Sequence, residues 1–234
     1  MPRPVRQVSL AVALTAAVFS LPSSWGHQAA RTTSVSGSLT VWDQGDRQAE
    51  DVGRAVVWLE GAALDSLIPD TATVLTEQKE FRPRVTVVTV GSTVSFSNND
   101  PFNHNVFSLS PENPFDLGLY GRRDAARTTE VRRPGLVRVY CNVHATMSAF
   151  VVVIPTPYHT RPAADGGFRL DGVPAGRYTL KAWHERSEAV AERPVVIPAG
   201  GARDLRIELD ARRFKPEQHL NKFGKPYRTA GRRY

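Results

Sequence analysis

Outside its N-terminal segment the chain shows no helical periodicity that lasts three turns. What recurs is a short β-branched or aromatic run cut off by Gly, Pro or Asn. Ser36–Trp42 alternates around Val and Leu, Arg54–Leu59 is a β-branched run ending at Glu60-Gly61, and Ala72–Thr76 leads to Phe81-Arg82-Pro83. Val85–Val90, Thr93–Ser97, Thr128–Val131, Val137–Tyr140 and Phe150–Ile154 continue the series. Such a density of short strands and turn residues predicts an all-β sandwich. After Pro157 the texture changes to Asp165-Gly166-Gly167-Phe168, Asp171-Gly172-Val173-Pro174-Ala175-Gly176, Arg177–Trp183, Val195–Pro198 and Asp204–Leu209. This second piece is also β, but it is too small to bury much apolar surface alone.

The N-terminus reads as a signal peptide over residues 1–26. Arg3 and Arg6 precede the apolar stretch Val8–Leu21, and Ser24-Trp25-Gly26 offers a small-x-small cleavage site. The stretch is shorter than the roughly 20 residues that cross a bilayer, so an exported protein with no membrane span after cleavage is expected, periplasmic or secreted. The formal charge of +7 is unevenly placed. The tail 211–234 carries eight Lys or Arg against Glu217 alone, which leaves residues 7–210 near neutrality. A basic tail suits an acidic partner or an anionic membrane surface, or is simply solvated. Without a basic face elsewhere, nucleic acid is not an expected partner.

Cys141 is the only cysteine, which excludes an internal disulfide framework. An unpaired thiol in an oxidising compartment is a liability unless buried, paired between chains or bound to metal. The run Cys141-Asn142-Val143-His144-Ala145-Thr146-Met147 also holds the only methionine beyond the initiator. A soft thiolate, two imidazoles and a weak axial thioether suit copper in a nearly trigonal site. The loop supplies three donors, and the second imidazole must come from elsewhere. His104 is the best candidate, because it follows the strand Thr93–Ser97 and opens another at an end of the sandwich, where loops gather. His184, His159 and His219 are expected as surface residues. A catalytic Cys–His pair is the rival reading of Cys141; it needs no methionine and favours a helix N-terminus, which this sequence does not offer.

On these residues the passage Glu80–Pro155 resembles the cupredoxins, the plastocyanin and amicyanin group. His104-Asn105-Val106 resembles the segment that carries the first ligand, and Cys141-x2-His144-x2-Met147 resembles the short ligand loop of amicyanins. The resemblance implies a cupredoxin Greek-key β-sandwich and a blue-copper electron carrier. It assigns Cys141, His104 and His144 as equatorial ligands, Met147 as axial ligand and Asn105 as a brace for the ligand loop. Ala145 and Thr146 depart from it, standing where amicyanins carry bulkier Pro and aromatic residues. One copper ion, a redox protein as partner and no enzymatic activity are the expectations. A copper storage or delivery protein, or an envelope module with structural copper, are the alternatives.

Residues 163–183 resemble carboxypeptidase-regulatory-like, transthyretin-like β modules, whose opening strands are missing just before residue 160 but present at Ser36–Trp42 and Ala55–Leu59. The expected organisation is therefore a second small β-sandwich domain made of 33–62 and 160–210, with the copper domain 70–156 inserted and a basic tail at 211–234.

Overall fold

The computed structural model describes residues 32–61, 67–216 and 218–227. The proposed signal peptide lies outside the described residues, as does part of the join near Asp65. Among the described residues there is no α-helix, so none is long and apolar enough to cross a membrane. The protein is all-β.

In chain order, β1 (Thr32–Asp43) and β2 (Arg47–Gln48) are followed by a 3₁₀ turn and β3 (Val56–Glu60). Next come β4 (Thr71–Glu77), β5 (Glu80–Arg82), β6 (Val85–Thr89), β7 (Thr93–Asn98), β8 (His104–Ser108), β9 (Phe115–Tyr120), β10 (Arg127–Glu130), β11 (Gly135–Tyr140) and β12 (Ser148–Ile154). The last group is β13 (His159–Thr160), β14 (Gly167–Pro174), β15 (Gly176–Trp183), β16 (Ala191–Ile197) and β17 (Ala202–Asp210).

These strands form four sheets. The order β10-β7-β4-β5 faces the order β6-β12-β11-β8-β9, and the two enclose a core that includes Val74, Val94, Phe96, Val106, Val139 and Val151. β7 shows why: Val94, Phe96 and Asn98 are buried, while Thr93, Ser95 and Ser97 between them are half-exposed, the period-two signature of a strand with one covered face. The other pair is β14-β1-β17 with β2 attached, facing β13-β3-β15-β16. β1 pairs antiparallel with β14 and parallel with β17, and β3 pairs with β13 and β15. A separate core joins Val35, Leu39, Val57 and Leu59 to Phe168, Leu180, Ile197 and Leu209. At the β1–β14 corner, Gly166 has φ +83° and its Cα lies against the Leu39 carbonyl, so a side chain there is excluded by both backbone conformation and space.

The two sandwiches pack on each other through β3 and β12. Val57 and Leu59 face one core, whereas Val56 and Trp58 face Val85, Val152, Ile154 and Trp183 across the junction. Both strands are buried on both faces, which accounts for the unbroken apolar runs Val56–Leu59 and Ala149–Ile154. Around this junction the buried Glu185 carboxylate takes Arg54 at 3.2 Å from one sandwich and Arg84 from the other.

β9 is the strand that residue patterns do not announce. Phe115 and Leu117 pack on the core and Tyr120 is buried, but Asp116 and Gly118 (φ +74°) interrupt the run.

Candidate metal centre

Three chain segments meet at one end of the larger sandwich. β8 opens with His104, the turn after β11 holds Cys141 and His144, and Met147 closes that turn just before β12. The turn is held by backbone hydrogen bonds from Met147 N–H to the His144 carbonyl (3.1 Å) and from Cys141 N–H to the Met147 carbonyl (3.2 Å). The donor atoms of His104, Cys141 and His144 all lie within 4.8 Å of one another. Both rings present Nδ1 to the sulfur, His104 at 3.6 Å and His144 at 3.8 Å. His104 and Cys141 are fully buried and His144 is half-buried. Met147 is also buried, in the same core cluster as Cys141.

This triangle has the size of a metal site. With metal–sulfur and metal–nitrogen bonds of about 2.3 and 2.0–2.1 Å, as for a first-row ion such as zinc, sulfur and nitrogen stand about 3.5 Å apart at a tetrahedral angle and about 3.8 Å apart at a trigonal one. The observed separations fall in that interval. A thiolate and two imidazoles, with a thioether in the same turn, are a soft donor set that fits copper.

The electrostatics prepare Cys141 and His144 as donors, while His104 is held above its ordinary value and would give up a proton to a metal. Burial alone would push the Cys141 thiol up. Hydrogen bonds from His104 and from the backbone N–H groups of Val143, Asn105 and His144 outweigh it and hold the thiol below its ordinary value. Burial pulls His104 down, but Cys141 and Asp100 more than compensate. Burial, and then the neighbouring His104, lowers His144 and favours the neutral ring that a metal takes.

Asp100 is the residue that motif reading missed. Its carboxylate accepts from His104 Nε2 at 2.8 Å, which fixes the ring so that Nδ1 faces Cys141. The same carboxylate accepts the N–H groups of Gln78 and Lys79 at 2.7 and 3.0 Å. Those two residues form the β4–β5 turn with φ +57° and +60°, a left-handed pair that non-glycine residues adopt only when held. Asn98 completes the support: its side-chain oxygen accepts from Asp100 N–H and its amide donates to the carbonyls of Phe102 and Tyr120. The Phe102 ring lies 5.1 Å from the His104 ring and 5.6 Å from the His144 ring.

Asn105 meets the ligand loop through its backbone and not through its side chain. Its side-chain amide donates to Asp116 Oδ1 (2.7 Å) and Gly118 O (2.9 Å) on β9, not to the 141–147 loop. Only its backbone N–H is directed at the Cys141 sulfur. The reason is register: β8 pairs with β9 through Asn105 and Leu119, with a shift before Phe107. That turns the amide toward the irregular part of β9.

No family model matches the chain, and no curated relative does. Among solved structures, 41% of the chain is similar to 25% of a copper-containing nitrite reductase from Thermus scotoductus SA-01, with 24% identity and a TM-score of 0.35. A purple cupredoxin from Nitrosopumilus maritimus matches 36% of this chain and 99% of its own, at 21% identity and a TM-score of 0.32. A reduced amicyanin variant matches 42% of this chain and 98% of its own, at 17% identity and a TM-score of 0.34. Of the three, the nitrite reductase is copper-containing by name. The chain spans only a quarter of the nitrite reductase it matches.

Of the three histidines expected at the surface, one is fully buried, while His159 and His219 are half-buried and held by contacts. His184 is fully buried, with Nδ1 accepting from Arg186 N–H and Nε2 near the Asp51 carbonyl, and it belongs to the smaller sandwich. His159 is half-buried where β13 pairs with β3. His219 in the basic tail stacks on Tyr140, with ring centroids 4.2 Å apart. The tail therefore does not hang free: among the described residues, 218–227 lie against the candidate ligand loop.

Proposed function

We propose that the protein is an exported carrier of single electrons that uses one copper ion and has no catalytic activity of its own. Cys141, His104 and His144 would hold the ion, with Met147 as the weak axial donor. The observation that carries this reading is the approach of two imidazole Nδ1 atoms to one buried cysteine sulfur, in a turn that also contains the only non-initiator methionine. Bound copper supplies reversible one-electron exchange between Cu(I) and Cu(II). The chain's own contribution is to keep the donors still and dry. His104 is pinned between Asp100 and Cys141, and Cys141 receives backbone N–H groups that stabilise its anionic form. Donors held this firmly move little when the charge changes, which favours fast transfer. His144 is the least buried of the three donors, next to the exposed Val143 and Phe102, and is the ring through which a redox protein partner would exchange the electron.

The smaller sandwich is proposed to be a transthyretin-like appendage without chemistry, and export through the N-terminal segment is part of the same reading. The experiment is to load the protein with copper and record metal content, visible spectrum and voltammogram. One copper per chain, intense thiolate-to-Cu(II) absorption and a reversible potential are expected. Copper bound without reversible electron exchange and lost readily to a chelator would replace the carrier by a delivery protein. No copper binding would overturn the reading.

A further inference from the structure

We infer that the C-terminal segment 218–227 is a built-in strap of the metal centre, which holds the 141–147 loop from outside and slows the escape of copper. This rests on the copper reading above. Three contacts carry it, each from a different part of the segment, to the consecutive residues Tyr140, Cys141 and Asn142 where β11 passes into the loop. The Tyr227 hydroxyl donates to the Cys141 carbonyl at 2.5 Å. The Lys222 N–H donates to Asn142 Oδ1 at 2.9 Å, while its ammonium reaches Asp116 on β9 at 2.7 Å. The His219 ring stacks on Tyr140 and, through Nδ1, lies 3.3 Å from the Tyr227 hydroxyl, so the segment is also tied to itself.

An independent observation concerns Ala145 and Thr146. They line one cleft together with Phe214, Pro216, Gln218 and His219. Small side chains at these two positions leave this cleft open between the loop and the chain that leads into the segment. A bulky residue there would enter the cleft and crowd Gln218 and His219 on its far wall.

The strap touches the loop through the Cys141 carbonyl and the flanking residues and contributes no donor to the ion. Tyr227 and His219 are therefore positioning residues. A loop that must open to release a metal has to break these contacts, so their removal speeds release without removing a ligand.

The test uses the full-length chain, its Tyr227→Phe variant and the double variant His219→Ala/Tyr227→Phe. Copper release to an excess of a Cu(I) chelator is timed on reduced protein, and amide exchange is mapped on metal-free protein. Loss of one such hydrogen bond corresponds to a change of about twofold to twelvefold. Release should quicken by that factor in Tyr227→Phe and further in the double variant. Exchange of residues 141–147 should quicken in parallel, while β7 keeps its protection and the visible absorption stays. Release and loop exchange equal to those of the parent would overturn the strap. So would a general loss of protection that includes β7, since the two residues would then support the fold as a whole. If the parent chain binds no copper, the functional reading fails, and exchange of 141–147 in the metal-free variants still decides the strap.

Discussion

At the scale of single residues, the centre depends on a thiolate and on the carboxylate that aims an imidazole. Cys141→Ser should abolish the visible absorption, because a hydroxyl is a poor replacement for a soft anionic donor; a coloured variant would refute the assignment. Met147→Leu should keep the colour and shift the midpoint potential, since it removes only the axial contact, and voltammetry reads the outcome. Asp100→Ala removes three hydrogen-bond acceptances at once, from His104 Nε2 and from the N–H groups of Gln78 and Lys79. It should weaken copper affinity by about 10–100-fold, the usual cost of losing a partner behind a ligand. It should also destabilise the fold by about 1–3 kcal/mol through the unpaired turn N–H groups. Competition titration and denaturant unfolding separate the two effects. Affinity equal to that of the parent would show that His104 needs no such brace.

At the scale of elements, β3 and β12 bear on two cores each. Ile154 is fully buried at the junction, at the far end of β12 from the ligand turn, about 20 Å away at the rise of a strand. Ile154→Ala should therefore cost about 2–5 kcal/mol and leave the copper spectrum unchanged. A spectral change would mean that the junction and the metal centre are coupled. Unbroken apolar runs announced that these strands are buried, but could not say against what. Each run is consistent with any covered sheet, and the partner face comes from residues nearly a hundred positions away.

At the scale of the whole molecule, β1 and β3 complete the sheets of β13–β17. The fragment 160–210 lacks the strand between β14 and β17 and the strand between β13 and β15. Expressed alone it should exchange its amides fast, and addition of 33–62 should restore protection; full protection of the isolated fragment would mean an independent domain. This sandwich also carries a pH dependence. Burial, the largest effect, holds the His184 ring below its ordinary value, so the folded state resists a proton that the unfolded chain accepts near pH 6.5. Above that pH the ring is neutral in both states and contributes no slope. Below it, stability should fall as pH falls toward the folded-state value. Unfolding midpoints between pH 8 and pH 5 should show this decline, and His184→Gln should lessen it, with the likewise lowered His159, His144 and His219 supplying the remainder.

The sequence by itself determined the features that depend on neighbouring residues. The period of its apolar residues specified strands, and the Cys141-x2-His144-x2-Met147 spacing put a thiol, an imidazole and a thioether in one turn, whatever the turn is attached to. His104 was legible because it begins a strand in a loop-rich stretch. Tertiary structure alone decided what depends on distant segments. It set Asp100 between His104 and the left-handed turn of Gln78 and Lys79, and directed the Asn105 amide to β9 by a register shift. It also buried His184 in the smaller sandwich and laid Tyr227 on the Cys141 carbonyl. A carboxylate, an imidazole or a basic tail is ordinarily solvated, and composition reads it so. Each becomes structural only when folding removes its water and supplies a partner, and that partner is chosen by sheet pairing over long stretches of chain.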